Sequence, residues 1–337
     1  MSDPHASSPY ALDIAVALAA VREAGLLCRA VQAGIDPGEL SKDDRSPVTV
    51  ADFGSQALVC RALAEALPDD PIIGEEDADM LRQPANSAAL SSVLDHVRAY
   101  RPEAEVETVC AWIDRGGSRE STPRFWTLDP IDGTKGFLRG EHYAVALALI
   151  VEGEPVVAAM ACPNLGPDLA SDRGAGTVFT AVRGEGTWAW PMIGSDDPRP
   201  VSVSDLDDPA GLRFCESVEA AHSSHGDAAR IADRLGVTAP GVRVDSQVKY
   251  GVTSRGEADA YLRLPKNNVY REKIWDHAAG ALVVTEAGGR VTDIHGRDLD
   301  FAKGSTLENN RGVIVTNGRL HERIIDVIRE LGIGSGD

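Results

Sequence analysis

A strand that runs straight into a carboxylate-bearing turn constrains this chain more than any other segment. Residues 125–137 read Phe-Trp-Thr-Leu-Asp-Pro-Ile-Asp-Gly-Thr-Lys-Gly-Phe. The first four are mostly aromatic or β-prone, and they predict a strand. Pro130 interrupts that pattern, and Asp132-Gly133 is a turn signal. Asp129 and Asp132 are therefore presented at a strand end, where α/β proteins commonly place their active sites. Hard divalent cations such as Mg2+ want oxygen ligands on a rigid base of this kind. Taken alone, the segment reads equally well as a tight surface turn.

Two further segments carry the same chemistry. Residues 71–77, Pro-Ile-Ile-Gly-Glu-Glu-Asp, form a short apolar run ending in three carboxylates. Alone they read as a helix N-terminus, where acids favour the dipole. Residues 275–284, Trp-Asp-His-Ala-Ala-Gly-Ala-Leu-Val-Val, open an Ala-rich run. Asp276 alone reads as an N-cap or a first-turn acid. The three together are far more specific than any one of them.

Together they resemble the lithium-sensitive, Mg2+-dependent sugar-phosphatase superfamily. That group includes inositol monophosphatases, fructose bisphosphatases and 3'(2'),5'-bisphosphate nucleotidases. Its signature pairs Asp-Pro-Ile/Leu-Asp-Gly-Thr with an upstream Gly-Glu-Glu and a downstream Trp-Asp-x-Ala-Ala-Gly, and all three stand here in that order. The branch most resembled is the bisphosphate nucleotidases. Its marks are residues 46–52, 129–139, 222–225 (His-Ser-Ser-His), 245–250 (Asp-Ser-Gln-Val-Lys-Tyr), 261–265 (Tyr-Leu-Arg-Leu-Pro) and 272–280. The resemblance runs from about Pro9 to the C-terminal helix. Residues 163–176 and 266–270 look individual to this chain and bear on cleft shape.

Composition narrows the partners. The chain has 337 residues, enough for a sizeable core in a two-part unit. Lys plus Arg (33) against Asp plus Glu (52) gives a formal charge of −19, which argues against a nucleic-acid polymer or an anionic membrane as partner. Bound cations and a few local basic residues can still reverse the field inside one cleft. The five cysteines are scattered without Cys-x-x-Cys spacing and read as free thiols in a reducing compartment. There is no Lys or Arg before Arg22 and no apolar stretch near ~20 residues, so the expectation is cytoplasmic.

Along the chain, helices are expected over 11–31 and 48–67, with Asp52 in or just before the first turn of the second. A strand is expected at 71–74, a loop then helix over 78–101 and a connector over 115–123. Hairpins are expected over 141–161 and 177–190. The loop-rich stretch 196–209 marks a boundary between two subdomains. Residues 1–200 form an N-terminal α+β unit with most metal ligands, and 201–337 a C-terminal α/β unit with the nucleotide contacts and the last ligand. In the second unit, strands are expected at 212–217, 242–244, 260–264 and 313–315. Helices are expected at 228–235, 246–256, 274–287 (carrying Asp276) and 320–331. The elements do not strictly alternate, so layered sheets and helices fit better than a doubly wound sheet. The fold class is α+β, and the resemblance implies a layered α-β-α-β-α sandwich.

The chemistry follows from the same residues. Phosphate-monoester hydrolysis is among the slowest uncatalysed reactions, and two metal ions can neutralise the phosphoryl group, position water and stabilise the leaving alkoxide. Two carboxylates about 4 Å apart repel by roughly 4 kcal/mol at an effective dielectric near 20, so several in one cleft make sense mainly with cations between them. The resemblance implies two or three Mg2+ ions. Glu75, Asp129 and the Ile131 carbonyl would hold one; Asp129, Asp132 and Asp276 would hold another. Glu76 is open between water-mediated contact to a third ion and a solvated acid. Gly133 and Thr134 would offer N–H groups to phosphate. Asp52 and Thr134 would orient and deprotonate the attacking water. No Cys-x5-Arg or Asp-x-Asp nucleophile motif is present, so direct in-line attack by metal-activated water is expected.

Substrate identity rests on His222, Ser246, Lys249 and Arg263, which match nucleotidase positions contacting phosphates, ribose and base; Asp276 also borders the substrate. Without the resemblance, Lys249 would read as a surface salt bridge, Arg263 as a strand-edge cation and His222 with His225 as a loop or cap pair. The reading favoured is hydrolysis of adenosine 3',5'-bisphosphate, a small-molecule partner, to AMP and phosphate, with 3'-phosphoadenylyl sulfate as a further candidate substrate. The alternatives are an inositol-phosphate phosphatase and a non-enzymatic acidic metal-binding or interaction protein.

Overall fold

The structure, a computed structural model, describes residues 4–35, 46–119, 122–194, 197–217, 225–265, 267 and 269–334. The first half runs α1 (Ala11–Ala33), α2 (Ser46–Ala66), β1 (Ile72–Gly74), α3 (Ser87–Arg98), α4 (Val106–Asp114), β2 (Arg124–Asp132), α5 (Thr134–Leu138), β3 (Ala144–Val151), β4 (Glu154–Cys162), β5 (Thr177–Val182), β6 (Gly186–Pro191) and β7 (Arg199–Val201). The second half runs β8 (Phe214–Glu216), α6 (His225–Leu235), β9 (Val242–Arg243), α7 (Val248–Ser254), β10 (Ala260–Arg263), α8 (Ala278–Glu286), β11 (Arg290–Thr292), β12 (Val313–Thr316) and α9 (His321–Glu330).

The strands form two sheets. Seven strands stand in the order β1-β2-β3-β4-β5-β6-β7, antiparallel except for the parallel pair β1–β2. Five stand in the order β11-β12-β10-β8-β9.

Period-two alternation sorts each strand between two cores. On β3, Val145, Leu147 and Leu149 face the core under α1 and α2, while Ala144, Ala146, Ala148 and Ile150 face the core shared with α7 and α8. The second face is Ala-rich, and so is α8, with Ala278, Ala279 and Ala281 buried. Small residues on both sides let the helix lie close to the sheet. On the far side of α7 and α8, Tyr261, Val313 and Val315 bring the five-stranded sheet into the same core. The outer faces of β10 and β12, Ala260, Leu262 and Ile314, pack with Ile324 and Ile328 of α9 and Ile231 of α6. The layers are therefore helix, sheet, helix, sheet, helix: the α+β sandwich expected from the sequence.

The local differences from the sequence reading have physical causes. Pro130 does not end β2. Asp129 pairs with Ala146 and Asp132 with Ala144, so three steps on β2 match two on β3. That extra residue is a bulge, where a proline deprives no ladder of a donor. The α8 helix begins at Ala278, later than the expected 274, and Asp276 sits in the turn before it. The loop-rich 196–209 contains β7, a short edge strand with Pro200, and β11 was also unanticipated. Among the described residues no helix is long and apolar enough to cross a membrane. All five cysteines are free and buried.

Candidate active site

The site forms where β1, β2 and α2 of the first sheet's layer meet the turns before α7 and α8. Gly74 of β1 pairs in register with Leu128 of β2, so the next residues, Glu75 just past β1 and Asp129 in β2 just before its bulge, stand side by side. From α2, the Ser55 hydroxyl donates to the Pro130 carbonyl at 2.9 Å and pins the bulge. One residue on, Gln56 donates from Nε2 to the Glu76 carbonyl (2.6 Å) and accepts the Glu76 N–H at Oε1 (3.1 Å). These two residues brace the acidic segments from below. Asp52 lies one turn earlier on the same helix face and is buried.

Gln247 joins the two halves of the cleft. Its N–H donates to Asp132 Oδ2 at 2.5 Å, and its side chain spans Trp275 O (2.9 Å) and Gly280 N–H (3.2 Å). The turn carrying Asp276 is thus tied to the strand end carrying Asp132. The preceding Ser246 adopts φ +65°, a left-handed conformation that costs a non-glycine residue about 1 kcal/mol or more and is typical of a constrained site. Gly133, φ +95°, faces it, and a Cβ there would stand 2.6 Å from Ser246 Cβ. Only glycine satisfies both the backbone and the approach.

These residues enclose a cleft of about 440 Å3 lined by Glu75, Asp129, Ile131, Asp132, Gly133, Thr134, Ser246, Lys249, Arg263 and Asp276. Every site residue expected from the sequence is brought to this lining except Asp52, which lies behind it, and His222, which is outside the described residues. Thr134 is exposed at the start of α5. No hydrogen bond joins it to Asp52 among the described residues.

The carboxyls strain one another. Burial, then repulsion from Glu75, Asp132, Asp276 and Asp52, pushes Asp129 well above the usual carboxylate range. One of its oxygens, Oδ1, is buried without a hydrogen-bond partner. Glu75 keeps exposed surface at the cleft mouth, yet the protein crowds its carboxyl. That desolvation, with repulsion from Asp276, Glu76 and Asp132, raises it to about 8 against a hydrogen bond with Asp129. Asp276 is raised to about 6 by burial and by Asp132, with His277 and Arg263 opposing. Burial first, then Glu76 and Glu75, also raises Asp52. A buried, unpartnered carboxylate oxygen amid hard oxygen donors of like charge fits a divalent cation such as Mg2+.

The opposite wall is basic. The buried Lys249 ammonium lies 4.9 Å from the Tyr261 ring centre, and burial lowers its pKa. Arg263 donates from Nε to Glu272 Oε2 at 2.7 Å. Glu272 also meets His277 Nε2 (3.2 Å), and His277 Nδ1 meets the Tyr250 hydroxyl (2.7 Å). Tyr270, half exposed, completes the rim. Sequence reasoning missed Gln56, Gln247, Glu272, His277 and Tyr250. Gln247, Tyr250, Glu272 and His277 stand inside the quoted motifs, and Gln56 lies four residues beyond one.

Two other features compete for attention. Glu272, Asp276 and His277 bring ligand atoms within 4.8 Å of one another. Both ring nitrogens of His277 are already engaged, so this triplet offers a cation no imidazole lone pair. A larger hollow of about 860 Å3 lies between loop 167–177 and β6–β7. Of its charged groups, Arg255 pairs with Glu257, and Asp168 accepts from the Ala170 and Ser171 N–H groups.

The inositol monophosphatase family model matches residues 10–332. The chain belongs to that family. It is 44% identical over 345 residues to a 3'(2'),5'-bisphosphate nucleotidase of Oryza sativa, covering 96% of each chain. It is 43% identical over 330 residues to one from Schizosaccharomyces pombe, covering 92% of this chain and 93% of the relative. An inositol monophosphatase from Zymomonas mobilis superposes with a TM-score of 0.64 at 20% identity, covering 96% of this chain and 99% of that one. At that identity the match speaks for the fold alone.

Proposed function

We propose that this chain is a Mg2+-dependent phosphatase that hydrolyses adenosine 3',5'-bisphosphate to AMP and phosphate. One observation carries the reading: a single cleft sets the acidic group Glu75, Asp129, Asp132 and Asp276 against the cations Lys249 and Arg263. A substrate with one phosphate to cleave and a second to recognise has a place for each. The names of relatives at 43–44% identity support the same choice.

In this reading Glu75, Asp129, the Ile131 carbonyl, Asp132 and Asp276 hold the Mg2+ ions. Bound there, Mg2+ supplies charge neutralisation at the phosphoryl group and acidifies water. The chain's own residues do the rest. Lys249 and Arg263 bind the phosphate that is not cleaved, by charge-assisted hydrogen bonds. The N–H groups of Gly133 and Thr134 orient the phosphate that is. Asp52, with Thr134, directs the attacking water and takes its proton. Water oxygen bonds to phosphorus, the P–O3' bond breaks, and the ribose oxygen leaves as a hydroxyl after gaining a proton. The units 1–200 and 201–337 then supply the cleaving and recognising walls respectively, with Asp276 crossing between them.

The test is phosphate release from adenosine 3',5'-bisphosphate, its sulfated analogue and inositol 1-phosphate, with Mg2+ and with a chelator. Release from the bisphosphate that stops with chelator is expected. Faster release from inositol phosphate would replace the nucleotide reading, and no Mg2+-dependent release from any of the three would remove the enzymatic one.

A further inference from the structure

Arg263 stands between two carboxylates with different duties. Its Nε is 2.7 Å from Glu272 Oε2, while its Nη2 is 3.7 Å from Asp276 Oδ2. Asp276 belongs to the acidic wall that the proposed function gives to Mg2+. A guanidinium that closed the remaining gap would take up that carboxylate in a planar, two-pronged pair. The anion-binding wall would then be neutralising the cation-binding wall.

A chain of buried hydrogen bonds opposes that collapse. Glu272 is 8% exposed, and its Oε2 accepts from both Arg263 Nε and His277 Nε2. With that proton on Nε2, His277 Nδ1 accepts from the Tyr250 hydroxyl at 2.7 Å. Tyr250 is 1% exposed and wedged edge-on against Tyr261, with ring centres 5.6 Å apart. On its other side is Gly280, where a Cβ would stand 2.4 Å from the ring. Tyr250 therefore has no room to turn. His277 also follows Asp276 directly, so the same bonds hold the turn that aims Asp276.

We infer that Glu272, His277 and Tyr250 are positioning residues that hold Arg263 off Asp276, keeping the anion-binding cation apart from the cation-binding acid. The inference rests on the proposed function, because it needs Asp276 to serve Mg2+. It gives the histidine and the glycine of the Trp-Asp-His-Ala-Ala-Gly segment one shared purpose: both fit Tyr250. It also predicts an unusual coupling, in which a residue that touches neither ion nor substrate governs the binding of both.

The experiment compares the full chain as wild type, Glu272→Gln, Arg263→Gln and the double variant. Mg2+ binding is measured by calorimetry without substrate, and KM and kcat for adenosine 3',5'-bisphosphate at saturating Mg2+. Glu272→Gln weakens Mg2+ binding roughly tenfold, the usual scale for losing an outer partner of a metal site, and raises KM similarly. Its kcat at saturating Mg2+ stays within a few-fold. Adding Arg263→Gln to Glu272→Gln restores Mg2+ affinity while KM stays high, because the intruding cation is gone. A merely structural loss would not be rescued in one readout and not the other.

Wild-type Mg2+ affinity in Glu272→Gln overturns the inference. So does failure of the double variant to recover it, which would mark Glu272 as a ligand itself. If Glu272→Gln does not fold, Tyr250→Phe, which removes one hydroxyl, carries the same comparison with and without Arg263→Gln. A wild-type chain that binds Mg2+ but leaves the bisphosphate intact overturns the proposed function, while the Mg2+ arm still decides this inference.

Discussion

Replacing Gly280 with alanine sets two effects of known sign against each other. In the first turn of α8, alanine should favour the helix by at most about 1 kcal/mol over glycine. The new methyl would stand 2.4 Å from Tyr250 Cγ, 2.5 Å from Cδ2 and 2.8 Å from Cδ1. Relief requires a shift of roughly 1 Å, because ordinary carbon contacts lie near 3.5–4 Å. Tyr250 cannot supply it freely: it is buried against Tyr261 and bonded to His277 at 2.7 Å. Overpacking of this kind costs about 1–3 kcal/mol, and a lost hydrogen bond adds about 1. The steric side wins, and net destabilisation should be about 1–3 kcal/mol. For a chain of this size that lowers the melting midpoint by roughly 2 °C per kcal/mol. Thermal melts in chelator, with KM for the bisphosphate measured in parallel, should show the drop together with a raised KM as Arg263 loosens. A Gly280→Ala protein as stable as the wild type with unchanged KM would refute the picture of Tyr250 as a fixed wedge.

Asp129→Asn should lower phosphate release by orders of magnitude yet stabilise the metal-free fold, since it removes a carboxyl whose ionisation is opposed by burial and by Glu75, Asp132, Asp276 and Asp52. Melts with and without Mg2+ check this; a variant still stabilised by Mg2+ as the wild type is would remove Asp129 from the metal site. Li+ should inhibit phosphate release at fixed Mg2+ in an uncompetitive or mixed manner, with K+ at equal ionic strength doing much less. Equal weak effects would indicate screening alone. His321 should make the fold acid-sensitive. Its ring is buried and, by the hydrogen-bond pattern, donates from Nε2 to Thr292 and accepts at Nδ1 from Thr316. Burial and Arg290 lower its pKa from 6.5 to about 4. The neutral ring's contribution is therefore complete above 6.5 and lost as pH falls toward 4, by up to about 3 kcal/mol. Urea unfolding between pH 7 and 5 should show His321→Gln losing stability less steeply than the wild type; parallel slopes would contradict the assignment.

Much of the sandwich was legible because it is written in short-range patterns. The apolar runs 144–151 and 156–160 on either side of the turn at 152–155 mark a hairpin before any partner is known, and the helix at 11–31 follows from its apolar spacing. The errors fall where context overrides local preference. Pro130 reads as a stop, yet a bulge absorbs it. A start at 274 reads as helix, yet Gln247 takes up the Trp275 carbonyl and the Gly280 N–H and leaves Asp276 in a turn. β7 and β11 are three residues each and pair only because a neighbouring strand offers them an edge.

By itself the sequence singled out the carboxylates that the proposed function assigns to Mg2+, because they come in three short segments whose combination, read in order, carries the family resemblance. Only the tertiary structure decided how they are kept apart and aimed. Glu272, His277 and Tyr250 belong to a loop, a turn and a helix, and nothing local distinguishes a histidine that steadies an arginine from one that fills space. Their roles come from burial: inside the core each polar atom must find a partner, and the partners it finds decide which way Arg263 points.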